Sequence, residues 1–210
     1  MSRQTKQRKL NNTIAIIADG QTEKWYLESV KAHYRHDSLK GIRIEPQLPQ
    51  KKQIEELVNM AKGKVQEGYP TVILIVDFDE MLANDCEFVR FKQFYQGYSG
   101  SEHSSWMNSV ILVVNNPCLE YWYLLHFKQT DKFYNTYTDL KKDLLKQLSD
   151  YDKSKDYYCS TPDIFTRLGG EKGLSDARKN VKPFLPFDIQ TCKEKGVSEM
   201  SKIFDYFDSL

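Results

Sequence analysis

Two carboxylates one residue apart, Asp77 and Asp79 in VDFDE, are the side chains of this sequence best suited to chemistry. If the strand that precedes them continues, they share a face, because strand side chains alternate with a period of two. So close a pair repels itself unless a counter-charge intervenes. A divalent cation is the usual one, and Mg2+ takes one or two carboxylates, keeps several waters and accepts phosphate oxygens. Two further acids, Asp19 and Glu23, flank the turn in ADGQTEKWY, and Glu120 lies in NPCLEYWYLLHF. Each has a plainer reading. Asp77 can cap a turn while Asp79 and Glu80 face solvent, and Glu23 can be an acid favoured by a helix dipole. Glu120, inside a segment apolar nearly all round, must be paired, protonated or metal-bound, with an arginine salt bridge as the structural option.

The elements that would position these acids follow one theme. Residues 13–18, 72–76 and 110–114 are continuous apolar runs that read as strands buried on both faces, and each ends in polar residues: Asp19, the Asp77/Asp79 pair, and Asn115 with Asn116. Gly20 allows a sharp turn, and Thr22 is the expected N-cap of a helix that places Glu23 beside Asp19. Asn116 is the expected cap, and Pro117 the first residue, of a buried helix carrying Glu120. A weaker strand is expected at Ile42 to Glu45, an amphipathic helix through Ile54, Leu57, Val58, Ala61 and Val65, and another from Cys86 to Phe94, followed by a loop in YQGYSGSEHSS. Strands alternating with helices argue for an α/β fold, a Rossmannoid parallel sheet with helices on both faces, whose ligand site lies beyond the carboxyl ends of the strands. Beyond about residue 129 the pattern becomes helical, with Leu140, Leu144, Leu145 and Leu148 as one stripe, two short helices around LGG, and a terminal helix in VSEMSKIFDYFDSL. The expected organisation is a basic tail over 1–11, a core over 12–129 and a helical extension over 130–210.

Composition narrows the class. With 40% hydrophobic and 28% charged residues the 210-residue chain can bury one sizeable core. Its apolar runs fall short of the roughly 20 residues that span a bilayer, so no membrane partner is expected. Four dispersed cysteines without a C-x-x-C pair and no secretory signal point to a reducing cytoplasm. Net charge is +1, so attraction to nucleic acid would have to be local, for instance through Arg3, Lys6, Arg8 and Lys9.

Taken together, ADGQTEKWY, VDFDE and NPCLEYWYLLHF, in this order, resemble the RloB-like family associated with bacterial abortive infection, whose core is similar to the Toprim domain of topoisomerases, primases and overcoming-lysogenization-defect nucleases. The resemblance covers residues 11 to 130 well, with echoes such as DARKN beyond. It implies a Toprim-like core and a nuclease that hydrolyses phosphodiester bonds of nucleic acid with Mg2+ or Mn2+, in anti-phage defence beside an ATPase encoded next to it. Carried over by position, Asp19, Asp77 and Asp79 are metal ligands, Glu23 matches the second acid of the nuclease-type motif, and Glu120 matches the family's own motif. A Toprim domain usually has Glu where this chain has Asp19, one methylene shorter. That difference favours the competing reading, a non-catalytic partner that uses the same fold to hold nucleic acid or the ATPase.

Other chemistries find less support. There is no G-x-x-x-x-G-K-[ST] phosphate loop, no G-x-S-x-G, and no cysteine with a histidine at diagnostic spacing. His33 and His36 could share a helix face but read as solvent-exposed, and His126 reads as a hydrogen-bonded core residue. Lys24 and Lys128 are the candidate cations for a phosphoryl group. Trp25, Tyr26 and Trp106 could stack bases or fill the core.

Overall fold

The computed structural model describes residues 13–18, 20–34, 43–47, 53–100 and 104–210. The three apolar runs form adjacent strands, β1 (Thr13–Ile17), β3 (Thr71–Asp77) and β4 (Val110–Asn116), with β2 (Arg43–Gln47) outside β1 and a short β5 (Val197–Ser198) outside β4. Spatial order is β2-β1-β3-β4-β5; the first four run parallel and β5 antiparallel. Central strands buried on both faces need apolar side chains at every position, which is why these segments read as unbroken runs. Pro46 is tolerated in β2 because that strand sits at the edge of the sheet. The expected start of this strand, Ile42, lies outside the described residues, as do the basic tail, His36 and Asp19.

Helices α1 (Gln21–His33) and α2 (Ile54–Gln66) carry the crossovers on either side of β2. The chain steps outward from β1 to β2 and then back past β1 to β3. With right-handed crossovers, that reversal puts α1 and α2 on opposite faces and makes the gap between β1 and β3 the switch point of the sheet. After β3 come α3 (Asp79–Ala83) and α4 (Asp85–Ser99), the latter packed with α2. The other face holds α1 with α5 (Leu119–Leu125), α6 (Tyr137–Leu144), α7 (Lys155–Cys159), α8 (Ile164–Arg167), α9 (Gly170–Val181) and α10 (Ser201–Asp208). One polar contact ties this layer together at its centre, where Trp122 Nε1 donates to the Tyr26 hydroxyl at 2.7 Å between two fully buried rings. No helix among the described residues is long and apolar enough to cross a membrane.

Several local expectations change. Helix α1 starts at Gln21 with Gly20 at its N-cap, so Thr22 lies inside the first turn and caps nothing. Helix α4 runs on to Ser99, through the first part of the expected loop. Tertiary bonds override its glycine, because Tyr95 donates to the Phe187 carbonyl at 2.6 Å and Tyr98 to the Val110 carbonyl at 3.0 Å. Asn116 does not cap α5. Its amide donates to the carbonyls of Cys192 and Lys195 at 2.7 and 2.9 Å, binding the C-terminal segment to the sheet, while Cys118 becomes the N-cap and Pro117 precedes the helix. The leucine stripe of α6 ends as helix at Leu144, although Leu148 still reaches the core through the turn that follows. The expected terminal helix divides in two: Val197 and Ser198 pair with β4 as β5, and the helix begins at Ser201.

Candidate active site

The carboxyl ends of β1, β3 and β4 meet at the switch point, and each delivers its acid by a different device. Glu23 is 2% exposed in the first turn of α1. Its carboxylate folds back over Gly20, where a Cβ would lie 2.9 Å from Oε2, and Thr22 Oγ1 donates to the same oxygen at 3.2 Å. The glycine is there for the space it leaves, since its φ of −145° is open to any residue. Burial first, and then the charge of Glu120, raise the Glu23 pKa above the ordinary carboxylate range, against its own backbone N–H, the Thr22 hydroxyl and Lys153.

Asp77 ends β3. Its Oδ1 accepts from Asn115 Nδ2 on β4 at 3.1 Å and its Oδ2 from the Leu119 N–H at the start of α5 at 3.3 Å. The strand stops there. Phe78, fully buried against Phe88, Phe91 and Phe187, takes a helical conformation, and both its N–H and that of Asp79 donate to the Pro117 carbonyl at 2.7 and 2.9 Å. Asp79 therefore begins α3 rather than sharing a strand face with Asp77. It is half-buried, and Glu80 N–H donates to its Oδ1 at 2.9 Å. Burial is the main cause that raises its pKa; the Glu80 and Glu120 charges add to the effect, while the Glu80 N–H and Lys153 oppose it.

Glu120, 1% exposed, occupies the first turn of α5. Its Oε1 accepts from the Tyr151 hydroxyl at 2.7 Å and pairs with Lys153 Nζ at 2.8 Å, whereas Oε2 is buried without a hydrogen-bond partner. The salt bridge weighed for this residue exists, with lysine in place of arginine. Cys118 lies among the acids: burial first, then Glu120, Asp77 and Asp79, push its thiol well above the usual range. Glu23, Asp77, Asp79 and Glu120 are thus brought together; Asp19 is outside the described residues. Among the described residues no group of three or more His, Cys, Asp or Glu side chains is arranged to hold one metal ion.

Lys153 is the residue that sequence reasoning missed. It acts on Glu23, Asp79 and Glu120, while Lys24 forms an exposed pair with Glu28 and Lys128 is exposed. Nothing in DYDKSKDYY distinguishes it from the chain's other lysines. The signal, a buried acid awaiting a cation, was in Glu120 and pointed to no partner. Trp25 packs on Tyr158 with centroids 5.7 Å apart and Trp106 packs against the core, so with Tyr26 all three aromatics serve the interior. His33 bonds Asp163 at 2.9 Å.

The family model described as RloB-like protein matches residues 14–205. The chain belongs to the RloB-like family. No curated protein and no solved structure matches it. The RloB-like match runs past the sheet and takes in Tyr151, Lys153 and β5, so the cover that supplies the lysine belongs to the family region together with the acids. Membership fits a defence-associated protein.

Proposed function

We propose that this RloB-like protein is a Mg2+- or Mn2+-dependent nuclease that hydrolyses phosphodiester bonds of nucleic acid in bacterial anti-phage defence, working with an ATPase encoded beside it. The observation that carries the reading is a charge imbalance. Four carboxylates, Glu23, Asp77, Asp79 and Glu120, gather at the switch point of a parallel sheet, and among the described residues Lys153 is the cation that acts on Glu23, Asp79 and Glu120. Buried acids in such excess call for further positive charge. The donors are hard oxygens, and Glu120 Oε2 is a buried acceptor still unfilled, so the residues fit a dication that needs only one or two carboxylates and brings its own waters.

Asp77 and Asp79, with Glu23 and Asp19, would hold the metal. When bound, it would neutralise phosphoryl oxygens and activate a water for in-line attack. The protein's part is orientation. Two donors fix Asp77, the Gly20 hollow fixes Glu23, and the Pro117 carbonyl fixes the backbone of Asp79. A second reading, a non-catalytic partner for nucleic acid or the ATPase, draws support from the same bonds, because both Asp77 oxygens and Glu120 Oε1 already have protein donors.

The test is incubation of the purified protein with plasmid, single-stranded DNA and tRNA, with and without Mn2+, beside Asp79→Asn, which leaves the Asp77 hydrogen bonds in place. Metal-dependent cleavage that the variant loses is expected, with a metal-induced rise in Tm. No metal-dependent cleavage of any substrate, even with the ATPase added, favours the binding reading.

A further inference from the structure

We infer that Lys153 is the resident counter-ion of this site, a cation carried by the protein that competes with a divalent metal for the same cluster of acids. The inference rests on the metal reading above and adds what opposes metal entry. Most lysine pairs among the described residues lie at the surface, as Lys142 with Asp139 and Lys172 with Asp176, and the one other that reaches a fully buried acid, Lys202 with Glu199, meets a carboxylate whose two oxygens already accept backbone N–H groups. Lys153 reaches from the turn before α7 to a carboxylate that is 1% exposed. Its Nζ lies 2.8 Å from Glu120 Oε1 and 3.8 Å from the centre of the Tyr137 ring.

Three features suit this ammonium to leaving. Its side chain is 41% exposed, so it can swing into water on a flexible stem without opening the core. The Tyr137 ring, which the ammonium already touches, goes on attracting it once its bond to Glu120 is broken. Tyr151, itself bonded to Tyr158 at 2.7 Å, keeps its hydrogen bond to Oε1 when the lysine departs, so Glu120 stays oriented. Lys153 pairs with Glu120 from α5, lies over the Tyr137 ring of α6, and acts through its charge on Glu23 from α1 and Asp79 from α3. All three acids favour it while no metal is present, and all three would favour a dication more, since two cations among the same acids repel each other. Lysine and metal therefore compete for one cluster.

Competition predicts opposite effects on the two states. Replacing the charge in Lys153→Met removes the partner of a buried carboxylate and should lower the Tm of the metal-free protein. It should also tighten Mn2+ binding, measured by calorimetry without any substrate, at least tenfold, and enlarge the Mn2+-induced rise in Tm. Lys153→Arg, which keeps the charge, should leave Mn2+ affinity within about threefold of wild type. In the unmodified protein, Mg2+ should increase acetylation of Lys153 by an amine-reactive reagent, read by mass spectrometry, a measurement that needs no variant to fold. Wild type that binds Mn2+ with Lys153→Met binding no tighter, or Lys153 reactivity unchanged by Mg2+, overturns the exchange and leaves the metal reading standing. No Mn2+ binding to either protein overturns both.

Discussion

His126 should make this protein acid-sensitive in a window set by one ring nitrogen. The residue closes α5 and is buried; its Nδ1 lies 2.9 Å from the Trp122 carbonyl. A carbonyl only accepts, so Nδ1 carries the proton and Nε2 is the bare atom, buried without a hydrogen-bond partner. Protonation would add a charge and an unaccepted N–H there. Burial accordingly lowers the pKa from 6.5 to about 4, against the smaller pull of the Trp122 carbonyl and Asp176. Because the folded pKa lies below the unfolded one, the unfolded chain binds more protons between them. Stability due to the neutral ring is complete above pH 6.5 and is lost as pH falls towards 4. At about 1.4 kcal/mol per pKa unit the loss comes to about 3 kcal/mol, a large share of the 5–15 kcal/mol typical of a domain. Urea unfolding of wild type and His126→Phe at several pH values between 7 and 4 isolates it, since carboxylates that also lose favourable bonds in acid are common to both proteins. Wild type should lose about 3 kcal/mol more than the variant over that range. Parallel pH profiles would refute the argument, because they would mean that the buried nitrogen finds a partner or that the ring is solvated.

Two further substitutions probe how the acids are held. Gly20→Ala puts a methyl group 2.9 Å from Glu23 Oε2, the far end of a flexible side chain, at a backbone conformation that alanine tolerates. Stability should change by less than about 1 kcal/mol, while the Mn2+-induced rise in Tm shrinks; an unchanged metal response would remove Glu23 from the site. Asn115→Ala strips Asp77 Oδ1 of its amide donor and leaves the buried Ser198 hydroxyl, 2.6 Å from Asn115 Oδ1, without an acceptor. Denaturant unfolding should show a loss of about 2–4 kcal/mol, and a loss below about 1 kcal/mol would mean that neither bond matters.

The parallel sheet could be read from the sequence because burial on both faces leaves a one-dimensional trace. After the threonine that opens two of them, TIAII, TVILIVD and VILVVNN admit no polar residue before the carboxyl end, and the polar residues at those ends mark the site. What escaped was set by contacts distant in sequence. Tyr95 and Tyr98 prolong α4 because carbonyls of Phe187 and Val110 await their hydroxyls, and the local YQGYSG composition argues the other way. Strand β5 is two residues long, below any periodicity, and exists because Asn115 pairs with Ser198 and Asn116 draws in the segment before it. Lys153 falls in a stretch of alternating charges like many solvated ones. The acids themselves could be found, since a carboxylate inside LEYWYLL is anomalous on its face, and their partners could not.

The means of holding those acids bears on what they are for. Carboxylates kept only for structure would each be matched by a donor or a cation, because leaving charge uncompensated in a protein interior is costly. Asp77 meets that standard, with two donors on two oxygens. Glu23 does not: its support is one hydroxyl, its own backbone and the remote charge of Lys153, and burial outweighs them. Glu120 meets it with one oxygen and fails with the other. The deficits fall on the two most buried of these four acids, one after β1 and one after β4, which act on each other electrostatically. Other buried polar atoms also lack partners, among them Tyr123 Oη, His126 Nε2 and Ser201 Oγ; what sets this place apart is that its unfilled atom belongs to a carboxylate. Glu120 Oε2 is a buried carboxylate oxygen beside the Lys153 pair, and it is the acceptor that the proposed dication would meet.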